Sequence, residues 1–408
     1  MTVTTASSAG GAGAPRNDGP LSGIRVLELG SLIAGPFAGR LLGDWGADVL
    51  KVESPDNPDP MRQWGQGELS GQQVWWLVQS RNKRIVTVDL RTGEGQARLL
   101  DLAARSDVLV ENFRPGTLER WNIGPEQLWK RNPGLIIARV SAFGQTGPRA
   151  GLAGYASVAE AMGGLRYLNG HPGEAPPRMG LSIGDSLGAL FAFQGILAAL
   201  YWRDARAGRG QIVDASLVEA CLAMTESVIP EYAATGVVRG PSGSGLPGIA
   251  PSNVFRSRDG KWIIIAANQD TVFARLAQAM GEPGLVADPR FSDHRARGAH
   301  QGEIESVVAA WASRLEASEL TEVLDRAGVP NGLVYTAADV VNDGMFRERG
   351  SLVPVTTEVG EVLMPGIVPK LSVTPGAIRW AGHVRPADNE EEVGRWLSKP
   401  EADQGRPS

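Results

Sequence analysis

From residue 24 onward, short β-branched runs alternate with stretches of helical period. IRVLEL (24–29), ADVLKVE (47–53), IVTVDL (85–90), DVLVENF (107–113) and LIIARVS (135–141) read as strands. Between them PFAGRLLGDWG (36–46), TGEGQARLLDLAARS (92–106) and the segment opening PGTLERW (115–121) carry helix signals. Near-continuous apolar strands separated by helices predict a doubly wound parallel sheet. Ligands of such sheets sit outside the carboxyl ends of the strands, so the loops at those ends are where chemistry is expected.

Further along, GLSIGDSLGALFAFQGILAALYW (180–202) is apolar and helical from Leu187 to Trp202, with one acid, Asp185, at its head. Three readings fit. Asp185 is a helix N-cap, since its oxygen can accept from an unpaired first-turn N–H. Ser182 is a hydrolase nucleophile, since Gly180 to Gly184 follow the G-x-S-x-G pattern. Or Asp185 is itself the nucleophile.

Composition narrows the class. The 408 residues, 42% hydrophobic and 21% charged, suffice for two or three soluble domains with full cores. A net charge of −5 provides no basic field for nucleic acid or anionic membrane. The single cysteine, Cys221, lies in the apolar stretch VEACLAM and reads as buried. A lone cysteine forms no intramolecular disulfide, which points to a cytoplasmic location. Residues 1–20 lack a basic segment followed by an apolar core, so they read as a disordered tail and not a signal peptide, and 399–408 as a second tail. The apolar run 187–202 is too short and interrupted to predict a membrane span. No metal site is expected, because His171, His294, His300 and His383 have no ligand spacing. No P-loop is present, and Gly30, Gly35 and Gly39 miss the dinucleotide-binding spacing.

Two strand-end loops stand out. RNKR (81–84) is either a solvated face or a phosphate clamp. Glu111-Asn112-Phe113-Arg114-Pro115-Gly116, with Arg120 one turn later, combines an amide, a ring and cations, which suits a nucleotide. GPSGSGLPGIAP (240–251) reads as a mobile linker or loop, and NVFRSRDGKWIIIAA (253–267) as a hairpin turning at Asp259-Gly260. The expected organisation is a large domain over 21–224, a smaller α+β domain over 225–340, and a return to the large domain over 341–398.

An ordered set of motifs resembles the class III CoA-transferases, of the formyl-CoA transferase and carnitine CoA-transferase type. They are LSGIRVLEL, AGPFAGRLLGDWGADVLKVE, RNKR-IVTVDL, DVLVENFRPGTLERW, FGQTGP, GDSLGALFA and GRGQIVDASLVEA, together spanning about 20–390. The resemblance implies a Rossmann-like large domain, a small domain and an interlocked, ring-like homodimer. It implies CoA as a substrate with no permanently bound cofactor, and an acyl-CoA and a carboxylic acid as partners. It makes Asp185 the nucleophile. It places CoA contacts on Ala34, Asn82, Lys83, Asn112, Phe113 and Arg120, and a glycine loop over the acyl group at Gly243 to Gly248, with Gly243 and Gly245 in it. The segment DPMRQWG (59–65) suggests a dicarboxylyl donor such as succinyl-CoA, with Arg62, Trp64 and Arg178 as candidate acid-binding residues. Acyl-CoA racemases of the same fold use a His–Asp pair; here Tyr155 stands where their His is expected, so the base is missing. A carboxylate is already anionic at neutral pH, having an ordinary pKa near ~4, and can attack a thioester without a base.

Overall fold

The computed structural model describes residues 19–384 and 389–398. The two expected tails, residues 19 and 20 apart, lie outside the described residues. By internal contacts the described residues divide into two units: those within 19–163, 181–224 and 347–398, and residues 164–180 with 225–346. The segment 164–180, read from sequence as part of the large domain, goes with the second unit.

The first unit is built on a six-stranded sheet: β1 (Arg25–Glu28), β2 (Asp48–Glu53), β3 (Lys83–Thr87), β4 (Val108–Glu111), β5 (Ile136–Ser141) and β6 (Ile212–Ser216). Its order is β3-β2-β1-β4-β5-β6 and every neighbouring pair is parallel. This is the dinucleotide-binding order, whose winding reverses between β1 and β4 and opens a crevice at their carboxyl ends. Leu27, Leu50, Val86, Leu109 and Ile137 bury one face against a core that Val393 and Trp396 complete from the helix Asn389–Ser398. Both faces of the central strands are covered, which is why they read as continuous apolar runs.

β3 begins at Lys83, two residues before the apolar run, and ends at Thr87. Cations normally mark a strand's end, but the ladder here continues because Lys83 pairs in register with Val49 and its ammonium meets the buried Glu28.

Helix α1 (Ala34–Asp44) joins β1 to β2. Helices α2 (Ala156–Met162) and α3 (Ile183–Trp202) lie between β5 and β6, and α4 (Leu217–Leu222) follows β6. α3 begins a turn earlier than its apolar run suggested. By length and composition it could cross a membrane; in this structure it packs on α1, β5, β6 and α4.

The second unit contains the antiparallel sheet Asn331–Leu333, Trp262–Ala266, Ser252–Arg256. The hairpin turns at Gly260, whose φ of 81° favours glycine. Ile263, Ile265, Leu276, Val308 and Leu320 form its core with the surrounding helices.

Candidate active site

A cavity of about 320 Å³ opens at the carboxyl ends of β1 to β4. Its walls come from the loop after β1 (Leu29 to Ser31), the end of β2 (Glu53, Ser54), the residues after β3 (Val88 to Arg91), and Phe113 and Trp121 beyond β4. The two rings stand edge to face, 5.3 Å apart.

The loop after β1 is held at each residue by a different side chain. Lys51 Nζ donates to the Gly30 carbonyl at 2.6 Å. Asn112 accepts from the Ser31 N–H and donates to its carbonyl, both at 2.9 Å. Asp59 accepts from the Leu32 N–H at 3.0 Å, and Leu32 is held at a φ of 64°. This loop delivers the chain into α1, whose N-cap, Ile33, has no side-chain cap. First-turn N–H groups of α1 are therefore not capped by their own N-cap residue, at the rim of the crevice.

Beneath the loop lies a buried ion network. Glu28 binds the ammonium of Lys51 at 3.1 Å and that of Lys83 at 2.8 Å, and Lys51 also meets Asp59 at 2.9 Å. Burial opposes the charge on Lys51, but Glu28, Asp59 and Glu53 outweigh it and hold its pKa above the ordinary lysine value. Lys83 is depressed to about 8, because burial dominates and the Lys51 ammonium adds repulsion that Glu28 only partly offsets. α1 approaches this network closely at Gly39, where a Cβ would lie 1.9 Å from a Glu28 carboxylate oxygen. Glu111 is raised to about 7 by burial, although Arg139 and the Phe113 N–H bond to it.

Asp185 lies in the first turn of α3, half-buried. It is the third helical residue and not the N-cap, which is Ser182. Two close approaches set the helix direction. A Cβ on Gly188 would strike Leu217, just beyond the carboxyl end of β6, and one on Gly195 would strike Val213, near its amino end. α3 therefore runs antiparallel to β6, and Asp185 stands beyond the carboxyl end of that strand. It shares with the crevice the same edge of the sheet. By strand spacing, β4 and β6 are roughly 10 Å apart. No strand precedes Ser182, because residues 173–182 are irregular, so the nucleophile elbow of a serine hydrolase lacks its frame. Cys221 is fully buried and its thiol is pushed up to about 11, first by burial and then by the charges of Glu160 and Asp185. That makes it a poor nucleophile.

The other residues singled out from sequence divide sharply. Ala34 opens α1 beside the clasped loop. Phe113 lines the crevice; Asn112 does not itself line it but holds the Ser31 wall in place. Arg120 is exposed and donates to Thr117 Oγ1. Asn82 and Lys83 lie at the amino end of β3, away from the crevice, with no exposed surface. Asn82 binds Asp44, the Ala377 carbonyl and the Arg379 N–H. Arg81 binds Asp44, and Arg84 binds Asp48. Residues 81–83 are thus buried and Arg84 half-buried, each cation paired with a carboxylate within the protein. The residues that bring this strand to the crevice are Val88, Asp89, Leu90 and Arg91, at its other end. Arg62 is engaged with Glu53, the Val384 carbonyl and the face of Trp76, while Trp64 is exposed.

Gly243 and Gly245 belong to the second unit. Their segment is a loop held there by hydrogen bonds. The Gly243 N–H donates to the Gly170 carbonyl at 2.9 Å. Ser244 bonds Asn253, and the Gly248 N–H donates to Gln301 at 3.0 Å. Gly243 needs its glycine: φ is 69°, and a Cβ would meet His171 at 3.0 Å. Among the described residues no group of His, Cys, Asp and Glu could hold a metal ion.

The sequence profile of CoA-transferase family III matches residues 21–388. This chain belongs to CoA-transferase family III. The transferase is 50% identical over 373 residues to succinyl-CoA–D-citramalate CoA-transferase of Chloroflexus aurantiacus, covering 91% of this chain and 92% of that one. It is 41% identical over 362 residues to the alpha subunit of succinyl-CoA–L-malate CoA-transferase from the same organism, covering 88% and 84%. Among solved structures, a CaiB/BaiF family protein from Brucella suis superposes with a TM-score of 0.81 at 32% identity, covering 93% of this chain and all of that one. The enzyme is a CoA-transferase whose substrates are CoA thioesters and carboxylic acids.

Proposed function

We propose that this enzyme moves CoA from succinyl-CoA to a hydroxylated dicarboxylic acid of the citramalate or malate class, with Asp185 as the covalent nucleophile. The placement of Asp185 supports this reading. It is the carboxylate in the first turn of the long apolar helix, on the edge of the sheet where the crevice opens. Two relatives, 50% and 41% identical to this chain, act between succinyl-CoA and such acids, as their names state.

In this reading the nucleotide of CoA occupies the crevice. Phe113 and Trp121 take the base, and Arg91, Arg120 and first-turn N–H groups of α1 at Ala34 take phosphate oxygens. Asn112 and Lys51 hold the walls. The pantetheine arm crosses β4 and β5 to bring the thioester to Asp185. Carboxylate attack forms a C–O bond and breaks C–S; the CoA thiolate leaves with the electron pair, and a mixed anhydride remains. The thiolate then attacks the Asp185 acyl carbon and releases succinate. The acceptor carboxylate attacks the resulting aspartyl-CoA thioester, the thiolate returns to the acceptor's acyl carbon, and Asp185 is regenerated. Each activated acyl bond is exchanged for another, so no ATP and no permanently bound cofactor is required. Backbone N–H groups stabilise the oxyanions, where one donor is worth ~10²–10³-fold in rate.

The chain works as a homodimer in this reading. Leu190, Phe191, Tyr201 and Trp202 leave apolar surface open on α3, which a second copy would cover.

The test is a panel of acyl-CoA donors against dicarboxylic acceptors, with CoA products read by mass spectrometry, for wild type, Asp185→Ala and Ser182→Ala. Citramalyl- or malyl-CoA should form from succinyl-CoA. Asp185→Ala should lose exchange by at least about 10³-fold while still binding CoA, and Ser182→Ala should keep it. Exchange surviving in Asp185→Ala would overturn the proposed chemistry, and a lack of activity with hydroxylated dicarboxylates would overturn the substrate assignment.

A further inference from the structure

We propose that Glu160 is a positioning residue for Asp185: it caps the head of α3 and sets a second negative charge beside the nucleophile, favouring the acylated forms in which the Asp185 carboxyl group has lost its own charge. This inference rests on reading Asp185 as the residue that becomes acylated.

The start of α3 lacks its usual cap. Ser182 occupies the N-cap position and makes no side-chain capping bond. Unpaired first-turn N–H groups need an acceptor. Glu160, on α2, provides one: its Oε1 accepts from the N–H of Gly184, the residue next to Asp185, at 3.3 Å. Glu160 is 3% exposed.

A neutral side chain could make that bond without the desolvation that burying a carboxylate entails. The fit is tight. A Cβ on Gly184 would lie 3.2 Å from Glu160 Cγ and 3.1 Å from the Ala156 carbonyl oxygen. Close approaches at Gly163 to Cys221 and at Gly188 to Leu217 bring α4 onto the same spot. Cys221, buried where these helices meet, is raised partly by both Glu160 and Asp185, which places the two carboxylates in one weakly screened neighbourhood.

The charge has a chemical consequence. Resting enzyme carries Asp185 as an anion beside Glu160. When Asp185 attacks a thioester, its own charge leaves with the CoA thiolate, and its carboxyl group is neutral in the anhydride that stays, the succinyl group keeping its distal carboxylate. When the thiolate attacks in turn, the charge leaves with the released carboxylate, and the Asp185 carboxyl group is again neutral in the aspartyl thioester. Repulsion between the carboxylates therefore weighs on the resting state and not on either covalent state, so Glu160 raises the fraction of acylated enzyme at equilibrium.

Glu160→Gln separates the two roles, because the amide oxygen still accepts from Gly184 while the charge is gone. Wild type and variant are mixed with succinyl-CoA without acceptor, and the covalent adduct on Asp185 is quantified by intact-protein mass spectrometry after borohydride or hydroxylamine treatment. The adduct-to-free ratio should fall about tenfold in Glu160→Gln, the scale of losing one nearby like charge. Its affinity for CoA should stay within twofold. An adduct ratio equal to wild type would overturn the proposal and leave Glu160 a cap only. If Glu160→Gln does not fold, Glu160→Asp keeps the charge and loosens the cap; its adduct ratio should stay within threefold of wild type, and a tenfold fall would overturn the proposal. Wild-type enzyme that turns over without any mark on Asp185 would instead end the nucleophile reading itself.

Discussion

Replacing Asn112 by Ala tests how the loop at the rim of the crevice is held. The Asn112 amide clasps Ser31 through two 2.9 Å bonds, one to its N–H and one to its carbonyl. Each such bond has a net worth of about 1 kcal/mol, so the clasp contributes about 2 kcal/mol to keeping the loop closed. Lys51 and Asp59 still hold Gly30 and Leu32 in the variant, so the chain should fold. Loop opening becomes easier by about 2 kcal/mol, or roughly 30-fold in population. Hydrogen exchange at the Ser31 amide should accelerate by that factor. If acyl-CoA needs the loop ordered to meet the start of α1, kcat/KM for acyl-CoA should fall about tenfold or more. Asn112→Asp should not restore either quantity, because it keeps the acceptor for the Ser31 N–H but turns a second oxygen toward the Ser31 carbonyl. Wild-type exchange at Ser31 in Asn112→Ala would refute the clasp, and faster exchange with unchanged kcat/KM would refute the link between loop order and acyl-CoA binding.

Gly39→Ala places a Cβ 1.9 Å from the Glu28 carboxylate; α1 must then shift or the buried ion network open, and urea unfolding should show a loss of about 2–3 kcal/mol. A variant as stable as wild type would show that α1 does not bear on Glu28. Glu111 has its carboxyl raised to about 7 from an ordinary 4.5, so the folded state holds that proton more tightly than the unfolded chain. Its contribution is complete below pH 4.5 and is lost as pH rises to 7, so wild type should lose stability across this window by about 2–3 kcal/mol relative to Glu111→Gln. Parallel pH profiles of wild type and Glu111→Gln in urea unfolding would contradict this assignment.

Several elements were legible in the chain because their causes are local. β1, β2, β4 and β5 follow from runs of β-branched residues, and the hairpin at Gly260 follows from its turn dipeptide. The alternation of strand and helix implies a parallel sheet whatever the exact register. Asp185 stood out as a single acid heading an apolar helix, and Phe113 as a ring at the end of a strand.

Other assignments depended on partners far away in sequence. Whether 81–84 faces ligand or interior depends on which end of β3 it occupies, and that was decided by the pairing of Lys83 with Val49 and by Glu28, Asp44 and Asp48 waiting to neutralise its charges. Arg91 reaches the crevice for the same reason: it lies beyond the opposite end of that strand. The glycine-rich 240–251 reads as flexible from composition, but Gly170, Asn253 and Gln301 tether it. Glu160 sits in an ordinary helical run, and only the approach of α3 gives its carboxylate an N–H to cap. The sequence alone determined the elements, their parallel arrangement and the acid on which the chemistry is proposed to turn, because periodicity and short-range propensity act within a few residues. Only the tertiary structure decided which charges face the crevice and which are neutralised within, because the energy of a buried charge is set by the groups that long-range packing brings beside it.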